Sequence, residues 1–143
     1  MTEKQAEPTL IRTPAGLSAY AALADVVLVL VFAASGRSSH AEALTPLGVL
    51  TTAWPFLAGL ALGWAVSRSW RAPLLIWPHG VAIWAITVAG GMVLRIATGD
   101  TAQLAFIIVA SIVLAVFLLG HRLLARLVVR RRTKQNRSGA WMR

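Results

Sequence analysis

Asp25 is the only formally charged residue within the long apolar stretches of this chain. A carboxylate near the middle of a membrane-length helix costs at least roughly 2.5–3.5 kcal/mol on insertion scales, so such a residue has a partner or a task. Wound into a helix, Ser18, Ala22, Asp25 and Gly36 share one side, while Tyr20, Leu23, Val27, Leu30 and Val31 share the other. The first side suits close helix contact and the second suits lipid. Aligning the midpoints of the apolar stretches sets Trp54, Trp84 and Ser111 at the depth of Asp25, with Thr51, Thr52 and Thr87 slightly outward. Each helix then offers a polar group to one internal layer. Two chemistries fit that layer. One is a proton- or substrate-binding carboxyl, and the other is a carboxyl that only glues helices by hydrogen bonding. In the second case Asp25→Asn is expected to be nearly silent, because Asn can both donate and accept.

Arg37 and Arg95 form a second candidate group, each near the outer end of an odd-numbered helix. As neighbours they would frame an outward anion site, or Arg95 would reach inward to Asp25; the plainer reading is that both snorkel to headgroups. The segment Gly36-Arg37-Ser38-Ser39-His40-Ala41-Glu42 places His40 near Glu42, but two metal-type ligands without a third make a solvated turn the better reading. Pro55 follows Trp54 inside the second stretch and is expected to kink or unwind it, since it cannot donate to the carbonyl of Thr51. Pro78 after Trp77 does the same near the start of the third, or delays its start. Gly59 and Gly63 make a GxxxG pair and Gly90-Gly91 a second smooth patch, the usual marks of helix packing or dimerisation.

Composition says where these residues must sit. Apolar residues make up 57% of the chain and charged residues only 13%, about half the roughly 25% of a soluble domain. With a mean hydropathy of +0.70, too few charges remain to cover a water-facing surface. Cysteine is absent, which removes disulfides, thiolate catalysis and Cys-based metal sites. The net charge of +9 flanks apolar runs rather than covering a face, which is a topology signal and not a nucleic-acid footprint. Residues 13–36, 43–67, 72–94 and 101–121 are four apolar stretches, each long enough to cross about 30 Å of hydrocarbon. The first is longer than a signal-peptide core and is interrupted by Asp25, so it is read as a span. Thr45-Pro46 reads as N-cap and first turn of the second helix, Pro73 as the opening of the third, and Gly99 as its close.

The expected fold is an all-α integral membrane protein, an antiparallel bundle of four transmembrane helices. Its spans are about 15–36, 46–67, 73–97 and 102–121, between a cytoplasmic segment 1–14 and a basic tail 122–143. Lys4, Arg12, Arg68, Arg71 and the tail cations fall on one side and only Arg37 and Arg95 on the other, which predicts both termini inside. In the tail, Arg122, Arg126 and Arg130 share a helical face, followed by Arg131 and Arg132. An amphipathic extension of this kind meets anionic headgroups at the inner surface, and from Thr133 the chain is expected to be unstructured. The Ala-rich, Arg-over-Lys composition suits a high-GC bacterium, hence a cytoplasmic membrane.

One combination of motifs is specific. Ala24-Asp25, then Gly36-Arg37-Ser38-Ser39-His40, then Thr52-Ala53-Trp54-Pro55-Phe56-Leu57-Ala58-Gly59, then Thr87-Val88-Ala89-Gly90-Gly91-Met92-Val93-Leu94-Arg95, resembles the bacterial domain of unknown function 3054 family over roughly residues 20–125. That resemblance implies a four-helix membrane fold and no particular activity. The sequence holds no phosphate loop, metal-binding His/Glu helix or nucleophile elbow, so the chain is read as not an enzyme and as needing no cofactor or metal. Its expected role is an accessory or structural subunit that packs with itself or with a larger membrane complex. The alternative is a small oligomeric transporter-like or channel-like protein that uses the layer around Asp25.

Overall fold

The structure, a computed structural model, describes residues 15–39 and 43–139. Helices α1 (Ala15–Ser39), α2 (Pro46–Ser67), α3 (Val81–Ala97) and α4 (Leu104–Gly139) follow one another, and no strand occurs among the described residues. All four are long and apolar enough to cross a membrane. Twenty-two residues of α2 span about 33 Å at roughly 1.5 Å per residue, against about 30 Å of hydrocarbon. This is a multi-pass membrane protein.

The caps explain where the helices begin and end. Thr45 is extended and its side-chain oxygen accepts from the Gly48 N–H at 3.1 Å, while Pro46 sits where an amide hydrogen has no partner to lose. Arg68, with φ of 50°, closes α2 in the left-handed conformation, and Gly99 (φ 87°) ends the turn after α3 as Asp100 N–H donates to the Arg95 carbonyl at 2.9 Å. Pro55 does not interrupt α2, which is helical without a break from Pro46 to Ser67. The second Trp-Pro pair has the larger effect. Trp77 is non-helical, a tight turn occupies Ile76–Gly80, and the regular helix starts only at Val81. Pro73 therefore does not open α3; it lies buried in the connection, and the third candidate span is Ile76–Ala97.

The core is a column of side chains from every helix: Val29 and Phe32 of α1, Phe56 and Leu60 of α2, Ile83 and Met92 of α3, and Ala110, Leu114 and Leu118 of α4. Phe32 and Phe56 meet edge-on at 5.2 Å, and Phe106 joins both at 6.3 Å. Helices α2 and α3 pack most intimately, and the glycines are the reason. A methyl group on Gly59 would stand 2.9 Å from the Thr87 carbonyl oxygen, and one on Gly63 would stand 3.0 Å from Ile83 Cα. Gly90 faces Gly59, and Gly91 lies against the Phe56 ring. Both small-residue patches are thus spent on contact within the chain.

Helix α4 differs from the sequence expectation. It is 36 residues long, about 54 Å at roughly 1.5 Å per residue, and its backbone stays helical to Gly139 with no break near 121 or at Thr133. Its apolar window is only 17% buried, so most of that surface meets lipid. Antiparallel pairing gathers the start of α1, the α2–α3 connection and the second half of α4 at one end of the bundle.

Candidate functional site

Near that end, four segments converge on Asp25. The stripe Ala21, Asp25, Val29, Phe32 of α1 is buried, and Tyr20, Leu23, Val27 and Val31 are exposed to the lipid side. On α4 the residues Ala110, Leu114, Leu118 and Arg122 repeat every fourth position and are all buried. Opposed, these two stripes bring the one intramembrane carboxylate against a guanidinium. Arg122 Nη1 donates to Asp25 Oδ1 at 2.8 Å and Nη2 to Oδ2 at 2.6 Å, the fork-to-fork geometry of the strongest ion pairs. Trp64 Nε1 on α2 donates to Oδ2 at 2.8 Å, and His121 approaches Oδ1 through Nε2 at 2.6 Å.

With Nε2 as the protonated nitrogen, His121 donates to Asp25. Its 3.1 Å approach to Arg122 Nη1 is then a contact between two donors rather than a bond. Arg122 has further acceptors. Its Nε donates to the Pro73 carbonyl at 3.1 Å, and Nη1 also donates to the Leu118 carbonyl at 2.6 Å. The non-helical connection before α3 is what leaves the Pro73 carbonyl available. Asp25 and Arg122 are both fully buried, so neither charge is met by water. The cluster is an ionic clasp joining α1, α2, α4 and the α2–α3 connection.

The rest of the anticipated polar layer lies elsewhere. Asp25 faces Trp64, Phe32 faces Phe56 and Arg37 faces Thr52 along the antiparallel α1–α2 pair. Trp54 therefore lies about 15 Å further along α2 than Trp64 at roughly 1.5 Å per residue, and it is exposed. Thr51 is also exposed, its hydroxyl donating to the Gly48 carbonyl at 2.8 Å. Trp84 and Ser111 do meet, through a bond from Trp84 Nε1 to the Ser111 carbonyl at 2.9 Å, while the Ser111 hydroxyl donates to the Ile107 carbonyl. Thr87 is buried against Gly59, and its hydroxyl has no partner among the described residues. Midpoint alignment misplaces Trp54 because α1 and α2 pack with an offset, set by the Arg37–Thr52, Phe32–Phe56 and Ser18–Trp70 contacts, that brings Asp25 level with Trp64.

Arg122 is the main correction. The spacing of Arg122, Arg126 and Arg130 predicts a headgroup-facing row, yet Arg122 is the last member of the buried stripe. Arg126 is partly buried, and Arg130, Arg131 and Arg132 are exposed. The signal was present in the sequence: a lone intramembrane acid requires a base, and His121-Arg122 sits in register with the core positions of α4. Arg95 does not reach Asp25. It pairs with Asp100 at 3.7 Å and lies over the Phe106 ring at 4.7 Å. Arg37 donates to the Ala43 carbonyl at 3.0 and 3.2 Å and to Thr52 Oγ1 at 3.3 Å. His40 and Glu42 lie outside the described residues.

Against known proteins, the family described as protein of unknown function (DUF3054) matches residues 22–125. The chain belongs to the DUF3054 family. The matched segment of this DUF3054 member runs from just before Asp25 to just after Arg122, and so contains the whole clasp. No curated protein and no solved structure matches the chain.

Proposed function

We propose that this DUF3054 protein is an accessory or structural subunit of the bacterial cytoplasmic membrane, packing with itself or with a larger membrane complex and performing no chemistry of its own. One observation carries that reading. Both oxygens of Asp25 are engaged by Arg122, Trp64 and His121, and Asp25 is fully buried. A carboxyl that takes up and releases a proton or cation in turnover needs an approach for water and freedom to change charge. Asp25 has a fixed counter-charge instead, which suits a role in holding helices together.

The orientation follows from charge. The bundle end near the clasp carries Arg68, Arg71, Arg126 and Arg130 to Arg132, and the other end carries Arg37 and Arg95, so the first faces the cytoplasm. The exposed arginines of α4 then lie where anionic headgroups are.

Extraction of the tagged full-length chain from its own membrane in mild detergent tests the proposal. A homo-oligomer or a complex with a larger membrane partner is expected; a lone monomer at membrane-like concentration would count against it. The rival reading, a transporter-like or channel-like protein acting through Asp25, is tested by the swapped pair Asp25→Arg with Arg122→Asp. If the swap restores the fold and complements a deletion, the pair acts structurally. A folded but non-complementing swap would favour transport.

A further inference from the structure

At the opposite end of the bundle, Arg37 and Arg95 line one cavity of about 490 Å³, together with Thr51, Thr52, Asp100, Thr101, Gln103 and Phe106. That volume lies within the roughly 300–1,000 Å³ of small-ligand sites. We infer that this cavity binds a phosphate-type oxyanion, held between the guanidinium groups of Arg37 and Arg95.

Both arginines are built in rather than snorkelling. The Arg95 side chain is only 15% exposed and lies over Phe106 at 4.7 Å, and Phe106 in turn contacts Phe32 and Phe56. The cavity thus has an aromatic back wall continuous with the core, and that wall fixes the plane of one guanidinium. Among the described residues, Arg95 Nε is buried and donates to no acceptor, which is costly for a cationic donor. Its counter-ion is poor: Asp100 lies at 3.7 Å and is 56% exposed, so water screens it. Thr52 positions the other arginine. Its hydroxyl donates to the Gly48 carbonyl at 3.2 Å and accepts from Arg37 Nη1 at 3.3 Å. The hydroxyl protons of Thr51 and Thr52 are directed to a backbone carbonyl, so recognition of an anion falls to the guanidinium groups. Arginine is the side chain whose planar fork matches phosphate.

Arg37 and Arg95 each lie within one turn of their helix end, so the cavity opens at headgroup depth. The phosphate can therefore belong to a lipid headgroup or be free in solution, and the test separates these sources. The reading is independent of whether the chain is a subunit of a larger complex. Full-length protein in nanodiscs of phosphatidylcholine, with and without phosphatidylglycerol, is probed by native mass spectrometry for retained lipid, and in detergent by titration with inorganic phosphate. Retention of phosphatidylglycerol without a phosphate response assigns the lipid source, and saturable phosphate binding assigns the free anion. Either should weaken at least tenfold in Arg37→Gln/Arg95→Gln. Should that double variant fail to fold, Arg95→Lys keeps the charge but loses the fork and the stacking, and is expected to weaken binding severalfold. Absence of both ligands from the folded wild type, or binding undiminished in folded variants, would overturn the proposal.

Discussion

Asp25 and Arg122, 97 positions apart in the chain, face each other through two parallel hydrogen bonds of 2.8 and 2.6 Å. A pair of this kind does more to specify an arrangement than to add net stability. Desolvating both charges offsets much of their attraction, but removing one partner strands the other. The donors around Asp25 come from α2 and α4, so they tie the rotation of α1 to both helices.

Asp25→Asn would be nearly silent for a carboxyl that only hydrogen-bonds, but the ion pair with Arg122 reverses that expectation and the variant should be strongly destabilised. Without the acid, Arg122 remains buried and unpaired, which costs about 3–5 kcal/mol. Arg122→Gln should cost a similar amount. The double replacement Asp25→Leu/Arg122→Met should recover most of the loss, since an apolar pair of comparable volume is often neutral or better. Thermal unfolding in detergent of the wild type, Asp25→Leu, Arg122→Met and their double variant closes a cycle and gives the coupling energy. Additive single effects would show that the two groups do not form a pair.

The α2–α3 seam predicts a contrast between glycines. Gly59→Val places its side chain within 2.9 Å of the Thr87 carbonyl oxygen, a backbone atom that cannot step aside, so the helices must part at a cost of about 1–3 kcal/mol. A Cβ at Gly120 meets nothing within 4 Å, so Gly120→Ala should leave stability unchanged or raise it by up to about 1 kcal/mol. The midpoint of heat-induced aggregation in detergent distinguishes the two. Equal tolerance at both positions would remove the basis for the seam.

Locally encoded features were legible in the sequence and relative depth was not. Span number, the Thr45-Pro46 cap and the Gly99 stop are local signals, set by length and by the few residues around each boundary. Asp25 stood out because one charge in hydrocarbon is conspicuous. Its partners did not, because Arg122 lies at the end of an apolar run, where a cation normally marks the membrane surface. The series Leu114, Leu118, Arg122, Arg126, Arg130 has one period throughout and passes from core to surface without a break, so periodicity cannot say where burial stops. The choice of Trp64 over Trp54 depends on how α1 slides against α2. That offset is set by the Phe32–Phe56 and Ser18–Trp70 contacts, which no single segment encodes.

Topology can be tested without background, since the chain has no cysteine. A cysteine at Asp100, in the exposed turn after α3, should react with an impermeant maleimide on intact spheroplasts. One at Ser138 should react only after permeabilisation. Labelling of position 138 from outside would invert the orientation argued from the arginines.

The structure places Trp64, and not Trp54, beside Asp25. Trp64 donates to a buried carboxylate at 2.8 Å, and hydrogen bonds to charged groups contribute about 1.5–3 kcal/mol. Trp64→Phe keeps an aromatic ring but removes that donor, so it should lower stability by about 1–2 kcal/mol while leaving the Asp25–Arg122 pair intact. Trp54→Phe removes an indole that is 43% exposed on the outer surface of the bundle, and it should be close to neutral. Midpoint alignment of the spans ranks these the other way, with Trp54 as the partner of Asp25. Unfolding of both variants in the same detergent therefore decides between two registers of α1 against α2. A costly Trp54→Phe with a silent Trp64→Phe would mean that α2 is shifted by about 15 Å relative to the arrangement described.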